Sequence, residues 1–107
     1  MNQFALRSAI GGSGGPVLKF LGDHRASGFP RVLAILESQL PGFRASGSWP
    51  TPDDFLWTCS YDGGSFELSD DWGGLFILPV SDAERVLAEV SEALVASGSF
   101  ERMAGDD

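Results

Sequence analysis

Phe55-Leu56-Trp57-Thr58-Cys59-Ser60-Tyr61, then Asp62-Gly63-Gly64-Ser65, then Phe66-Glu67-Leu68-Ser69, decides how this chain folds. Phe55, Trp57, Cys59 and Tyr61 alternate with Leu56, Thr58 and Ser60, and Phe66 and Leu68 alternate with Glu67 and Ser69. A period of two marks a strand with one buried face. The glycine pair between the arms suits a tight reversal, whose central residues take positive φ. With Gly63-Gly64 as the turn, Tyr61 faces Phe66 and Cys59 faces Leu68, so the apolar sides of both arms coincide. The reading is an antiparallel hairpin.

The segments around it extend the sheet. Leu75-Phe76-Ile77-Leu78 is a continuous apolar run ended by Pro79, which predicts an interior strand covered on both faces. Asp70-Asp71-Trp72-Gly73-Gly74 turns the chain into it. Upstream, Phe43 to Trp49 alternates weakly, and Pro50-Thr51-Pro52-Asp53-Asp54 reads as a stiff loop. At the start, Phe4, Leu6, Ser8 and Ile10 alternate with Ala5, Arg7 and Ala9. Val17 to Leu21, after the Gly11–Gly15 loop, reads as the return strand of a hairpin or as a helical turn.

Two helices are expected. Phe29, Val32, Leu33, Leu36 and Leu40 share one stripe, with Pro30 in the first turn, Ser27 as cap and Pro41-Gly42 as the stop. Ser81-Asp82-Ala83-Glu84 has the spacing of a capping box, in which the Ser81 hydroxyl and the Glu84 carboxylate each accept from the other residue's amide. Behind it, Ala83, Val86, Leu87, Val90 and Leu94 form the apolar stripe, while Glu89 and Glu92 face water. Ser97-Gly98 ends the helix, Phe100 folds back on the core and Ala104 to Asp107 fray. The fold class is α+β: a two-layer sandwich, with an antiparallel sheet of about four to five strands and two helices packed on one face. The 107 residues fit a single domain.

Charge is unevenly placed. From Ala45 to Glu84 there is no Lys and no Arg, yet Asp53, Asp54, Asp62, Glu67, Asp70, Asp71, Asp82 and Glu84 lie there. The other seven acids and seven bases cancel, so the net charge of −8 originates in this stretch. Trp49, Trp57 and Trp72 lie in it as well. Phosphate binding needs clustered bases, and the seven here are scattered, so nucleic acid and anionic membrane are excluded as direct partners. An acidic surface instead steers a cationic partner. Cys59 has no second cysteine to pair with, and Met1 to Ile10 lacks the apolar core of a signal peptide, so a cytoplasmic protein is expected.

Enzymatic readings are weaker. Gly11-Gly12-Ser13-Gly14-Gly15 fits G-x-S-x-G, but the one histidine, His24 beside Asp23, follows within eleven residues instead of far downstream. The same loop lacks the Lys-Ser/Thr of a phosphate-binding loop. Cys59 sits at a core-facing position, where thiols behave as small hydrophobes, although a pair with His24 is conceivable. Asp53-Asp54 and Asp70-Asp71 could supply oxygen ligands to a cation or a glycosidase carboxylate pair, but they lack the spacing of a calcium loop and a sugar cleft. No metal and no cofactor is expected.

The favoured reading is a non-enzymatic module that binds a basic protein through Asp53, Asp54, Asp62, Glu67, Asp70, Asp71 and Trp72. In charge and size alone it compares with small immunity or antitoxin proteins that neutralise basic toxins. The alternatives are a homo-oligomeric domain joined by a strand edge, which leaves monomer or homodimer open, and a small hydrolase using Ser13 or Cys59.

Overall fold

The computed structural model describes residues 2–7, 16–22, 28–51, 54–71 and 74–103. The elements in chain order are β1 (Asn2–Arg7), β2 (Val17–Phe20), α1 (Val32–Gln39), β3 (Arg44–Thr51), β4 (Asp54–Tyr61), β5 (Gly64–Asp71), β6 (Gly74–Pro79), α2 (Ala83–Ala96) and β7 (Phe100–Arg102). Among the described residues the result is a mixed α+β structure with two helices and one seven-stranded sheet, in the order β3-β4-β5-β6-β2-β1-β7. The expectation of four to five strands is corrected to seven. The sheet is also not wholly antiparallel, because β7 pairs parallel with β1.

The meander β3–β6 forms one lateral half of the sheet, and β2, β1 and β7 form the other. The seam is β2 against β6, with Leu18 opposite Ile77. Val17 to Phe20 is a strand and not a helical turn, paired antiparallel with β1 through Phe4↔Phe20 and Leu6↔Leu18. The Gly11–Gly15 loop between them, including Ser13, lies outside the described residues, as do Asp23, His24, Ser27 and the 104–107 tail.

The β4–β5 hairpin forms, but its register is shifted by two. Cys59 pairs with Phe66 and Trp57 with Leu68, while Tyr61 pairs with Gly64. The chain therefore turns at Asp62-Gly63. Neither of these residues has positive φ; of the expected glycine pair only Gly64, now the first residue of β5, has it, at 157°. The turn is tied instead to the loop after α1, where the Asp62 amide donates to the Pro41 carbonyl at 2.9 Å. A shift of two leaves every side chain on its expected face, so the core pattern survives.

That pattern places Phe4, Leu18, Phe20, Cys59, Phe66, Leu68, Leu75 and Ile77 in one buried cluster with Val32, Leu36 and Leu40 from the first helical segment and Val86, Leu87, Val90 and Leu94 from α2. The other sheet face carries Thr58, Glu67, Phe76 and Lys19, matched across strands by register. On β6 only alternate residues are buried, so the expectation of cover on both faces is wrong: Phe76 and Leu78 are half-buried. Lys19 covers part of this apolar area, its Nζ 5.8 Å from the Phe76 ring centre.

Both helix starts differ from expectation. Pro30 lies outside α1, which begins with the Ile35 amide bonded to the Arg31 carbonyl; Arg31 is the cap position and offers no side-chain bond. Phe29 precedes a proline, a position biased towards extended backbone. At α2 the capping box does not form. Asp82 is the cap residue, in left-handed backbone with φ 49°, and the Ser81 hydroxyl is 3.3 Å from the Ser65 hydroxyl. The Val80 amide also bonds to the Ser65 carbonyl. The local capping signal loses to a tether that joins the helix entry to β5. Pro50 and Thr51 are inside β3 and Asp54 opens β4, so the expected stiff loop is corrected at those positions; residues 52–53 lie outside the described residues.

Candidate functional site

Tyr61 is the last residue of β4 and sits on the core face, where its ring packs 6.2 Å from that of Phe66. Its hydroxyl reaches past the sheet end and donates to Glu89 Oε1 on α2 at 2.5 Å. Gly63 makes this approach possible, because a Cβ there would run into both the Tyr61 ring and the Glu89 carboxylate. Gly42 does the same for its neighbour: with φ at +73° and the Asp62 side chain against its Cα, a side chain has neither the backbone nor the space. Glu89 also accepts from Arg85 Nε at 3.4 Å, one helical turn away.

These contacts polarise the pair in opposite directions. The Tyr61 hydrogen bond, assisted by Arg85, holds the Glu89 carboxyl below its usual range despite partial desolvation. Burial first, then the bond to Glu89 and its charge, push the Tyr61 phenol up. At neutral pH, then, Glu89 is a fixed anion and Tyr61 a fixed donor.

Around this pair the hairpin turn, the end of the first helical segment and the outer side of α2 enclose a depression of about 390 Å³. Leu40, Pro41, Ala93 and Ala96 give it apolar walls, and Asp62, Glu89 and Glu92 give it carboxylates, with Arg85 as its one base among the described residues. Arg85, Glu89, Glu92, Ala93 and Ala96 follow one another at i, i+4, i+7, i+8 and i+11, a single stripe of α2. That spacing was legible in the sequence, where Glu89 and Glu92 read only as solvent-facing residues. Glu92 is exposed as expected, whereas Glu89 is half-buried and engaged.

The acidic residues singled out from the sequence fall into separate places. Asp62 is exposed in the β4–β5 turn, beside the depression. Asp70 and Asp71 end β5 at the opposite pole, where Asp70 pairs with Phe55 and Leu75. Asp54, at the start of β4, pairs with Thr51 of β3. Glu67 is half-buried in mid-strand on the face away from the core, opposite Thr58 and Leu78. Eight residues separate Asp62 from Asp70, which in a strand is about 25 Å. That exceeds the Debye length of about 8 Å at physiological salt, so the two poles act independently instead of as one rim. Asp53 and Trp72 lie outside the described residues. Trp57 is half-buried against the core, its ring 4.5 Å from Phe55.

Cys59 is fully buried, and burial pushes its thiol up to about 12. A nucleophile needs the reverse shift. Among the described residues, no three His, Cys, Asp or Glu side chains gather as a metal site requires, and no helix is long and apolar enough to cross a membrane. Comparison with protein-family models, curated proteins and solved structures gives no match.

Proposed function

We propose that this chain is an acidic, non-enzymatic module that binds a basic protein partner, acting in a reducing, cytoplasmic setting. In this reading the helices form one layer on the core face of the sheet, and charge on the meander half does the steering. One observation carries it. The stretch without Lys or Arg, Ala45 to Glu84, folds into neighbouring strands β3-β4-β5-β6, so an asymmetry along the chain becomes an asymmetry across the molecule. The bases Arg7, Lys19 and Arg102 belong to β1, β2 and β7 on the other half, and Arg44 stands at the first position of β3. With no base between Ala45 and Glu84, this part of the chain adds no repulsion to an approaching cation, and a molecule of net charge −8 attracts it.

The test uses a fluorescent arginine-rich peptide as the basic probe. Binding is expected at low salt, and raising NaCl from about 50 to about 300 mM should weaken it at least tenfold, chiefly through the association rate. Failure to bind at low salt, or affinity indifferent to salt, refutes the charge reading.

A second reading rests on β3, an eight-residue edge strand on which Ala45, Ser46 and Gly47 are exposed. Such an edge can pair with a second copy. Pro50 and the register irregularity between Ser48 and Thr51 blunt it at one end only. Sedimentation over a wide concentration range tests this: a constant monomer mass removes it.

A further inference from the structure

We infer that the depression between the β4–β5 turn, the end of the first helical segment and α2 receives an arginine side chain of that basic partner. The inference rests on the charge reading above and assigns its point of contact.

Charge complementarity selects the occupant. Among the described residues three carboxylates line the depression against one base, and that base is already engaged by Glu89. Asp62 and Glu92 have no ion pair among the described residues. They belong to different elements, the hairpin turn and α2, and both line the depression. The walls are suited to the rest of the side chain. Leu40 and Ala93 are buried apolar residues at the base, and the small Ala93 and Ala96 leave room on a helix face that a larger residue would fill. The volume lies near the lower end of the range for small-ligand sites, about 300–1,000 Å³.

Arginine fits better than lysine. Its planar fork offers five donors, enough to reach carboxylates on two elements at once. It is also more weakly hydrated than an ammonium, and so loses less on entering a partly apolar recess. Its methylene stem can lie along the apolar wall while the head meets the carboxylates. Arg85 then has a defined role. It stands in the recess as a resident base, partly neutralising Glu89 and competing with the incoming guanidinium.

The probe is N-acetyl-arginine amide, titrated into the full chain while backbone amide shifts are followed by NMR. Shifts are expected at Asp62, Gly63, Glu92 and Ala93, with a dissociation constant on the order of 10 mM, as befits one small contact. The matching citrulline compound has nearly the same shape without the charge, and should bind at least about tenfold more weakly. The lysine compound should bind about threefold more weakly. Asp62→Asn combined with Glu92→Gln should weaken arginine binding about tenfold, and Arg85→Gln should tighten it about threefold. A gain from removing a surface base is not what a purely structural residue gives, and the citrulline comparison needs no variant at all.

Equal binding of arginine and citrulline, equal or tighter binding of lysine, or shifts confined to the opposite pole each overturn the assignment. If the arginine-rich peptide binds with salt dependence but the capped arginine leaves these residues unmoved, the recess is wrong and the charge reading stands. If neither binds, both fall.

Discussion

Phe100→Ala lowers the unfolding free energy by about 3–5 kcal/mol, the range for emptying a large buried aromatic site. Phe100 is 1% exposed, and its ring lies 5.2 Å from Phe20, 5.7 Å from Phe29 and 6.4 Å from Phe4, all tilted towards edge-to-face. Those partners come from β1, β2 and the segment before α1, so a single ring joins three otherwise distant parts of the chain. The backbone of β7 contributes less. It is a three-residue edge strand paired parallel to β1, extended by one bond from the Met103 amide to the Phe4 carbonyl. Truncating the ring therefore removes what holds β7 against the sheet, as well as its own packing. Urea titration measures the loss as a lower midpoint, and the melting temperature should fall by more than about 10 °C. Val95→Ala is the comparison. It lies on the exposed side of α2, so its effect should stay within about 0.5 kcal/mol. A Phe100→Ala cost as small as that would mean that β7 does not close the core.

The second large effect is alkaline destabilisation. The Cys59 thiol ordinarily ionises near 9.0, and burial pushes it up to about 12. A folded-state value above the unfolded one means that the contribution is complete below pH 9. It is lost as pH rises from 9 towards 12, because the unfolded chain releases its proton first. The slope in that window is about 1.4 kcal/mol per pH unit, with an upper bound of about 4 kcal/mol over the whole span. Tyr61 adds to the loss above pH 10, since its phenol is also shifted upward, first by burial and then by its bond to Glu89. Between pH 9 and 10 the thiol acts largely alone. Cys59→Val keeps an apolar side chain at that site and removes the ionising group, so denaturant midpoints should become nearly flat in that interval. Tyr61→Phe should leave the pH 9–10 slope in place and reduce the loss above pH 10. An unchanged slope in Cys59→Val would show that the thiol is not the group responsible.

The β4–β5 hairpin was legible because its signal is local. Alternation from Phe55 to Ser69 specifies faces, and faces are insensitive to a shift of two. Register was not legible, because it depends on the Asp62 amide reaching Pro41, a contact between two turns about twenty residues apart. The α2 stripe was read correctly at Val86, Leu87, Val90 and Leu94. Its cap was not, since Ser81 is drawn to Ser65 by tertiary contact. The strand that was not read, β7, has the same origin. Three residues at Phe100 carry no periodicity, and only the proximity of β1 makes them a strand. Of the candidate site, the acidic bias was plain in the sequence, but the Tyr61–Glu89 bond spans 28 residues and joins a strand end to a helix. No pattern within either segment announces the other.

Composition and spacing alone determined the class of this protein: alternation makes strands, a 3.6-residue stripe makes helices, and a base-free acidic stretch makes the charge. These are properties of near neighbours along the chain, which local sterics and solvation decide. The tertiary structure decided the number of strands, the seam between β2 and β6, and the separation of the acids into two poles about 25 Å apart. It also decided the recess beside Tyr61. Each of these depends on which surfaces meet when the core closes, and that is settled by the packing of side chains far apart in the chain.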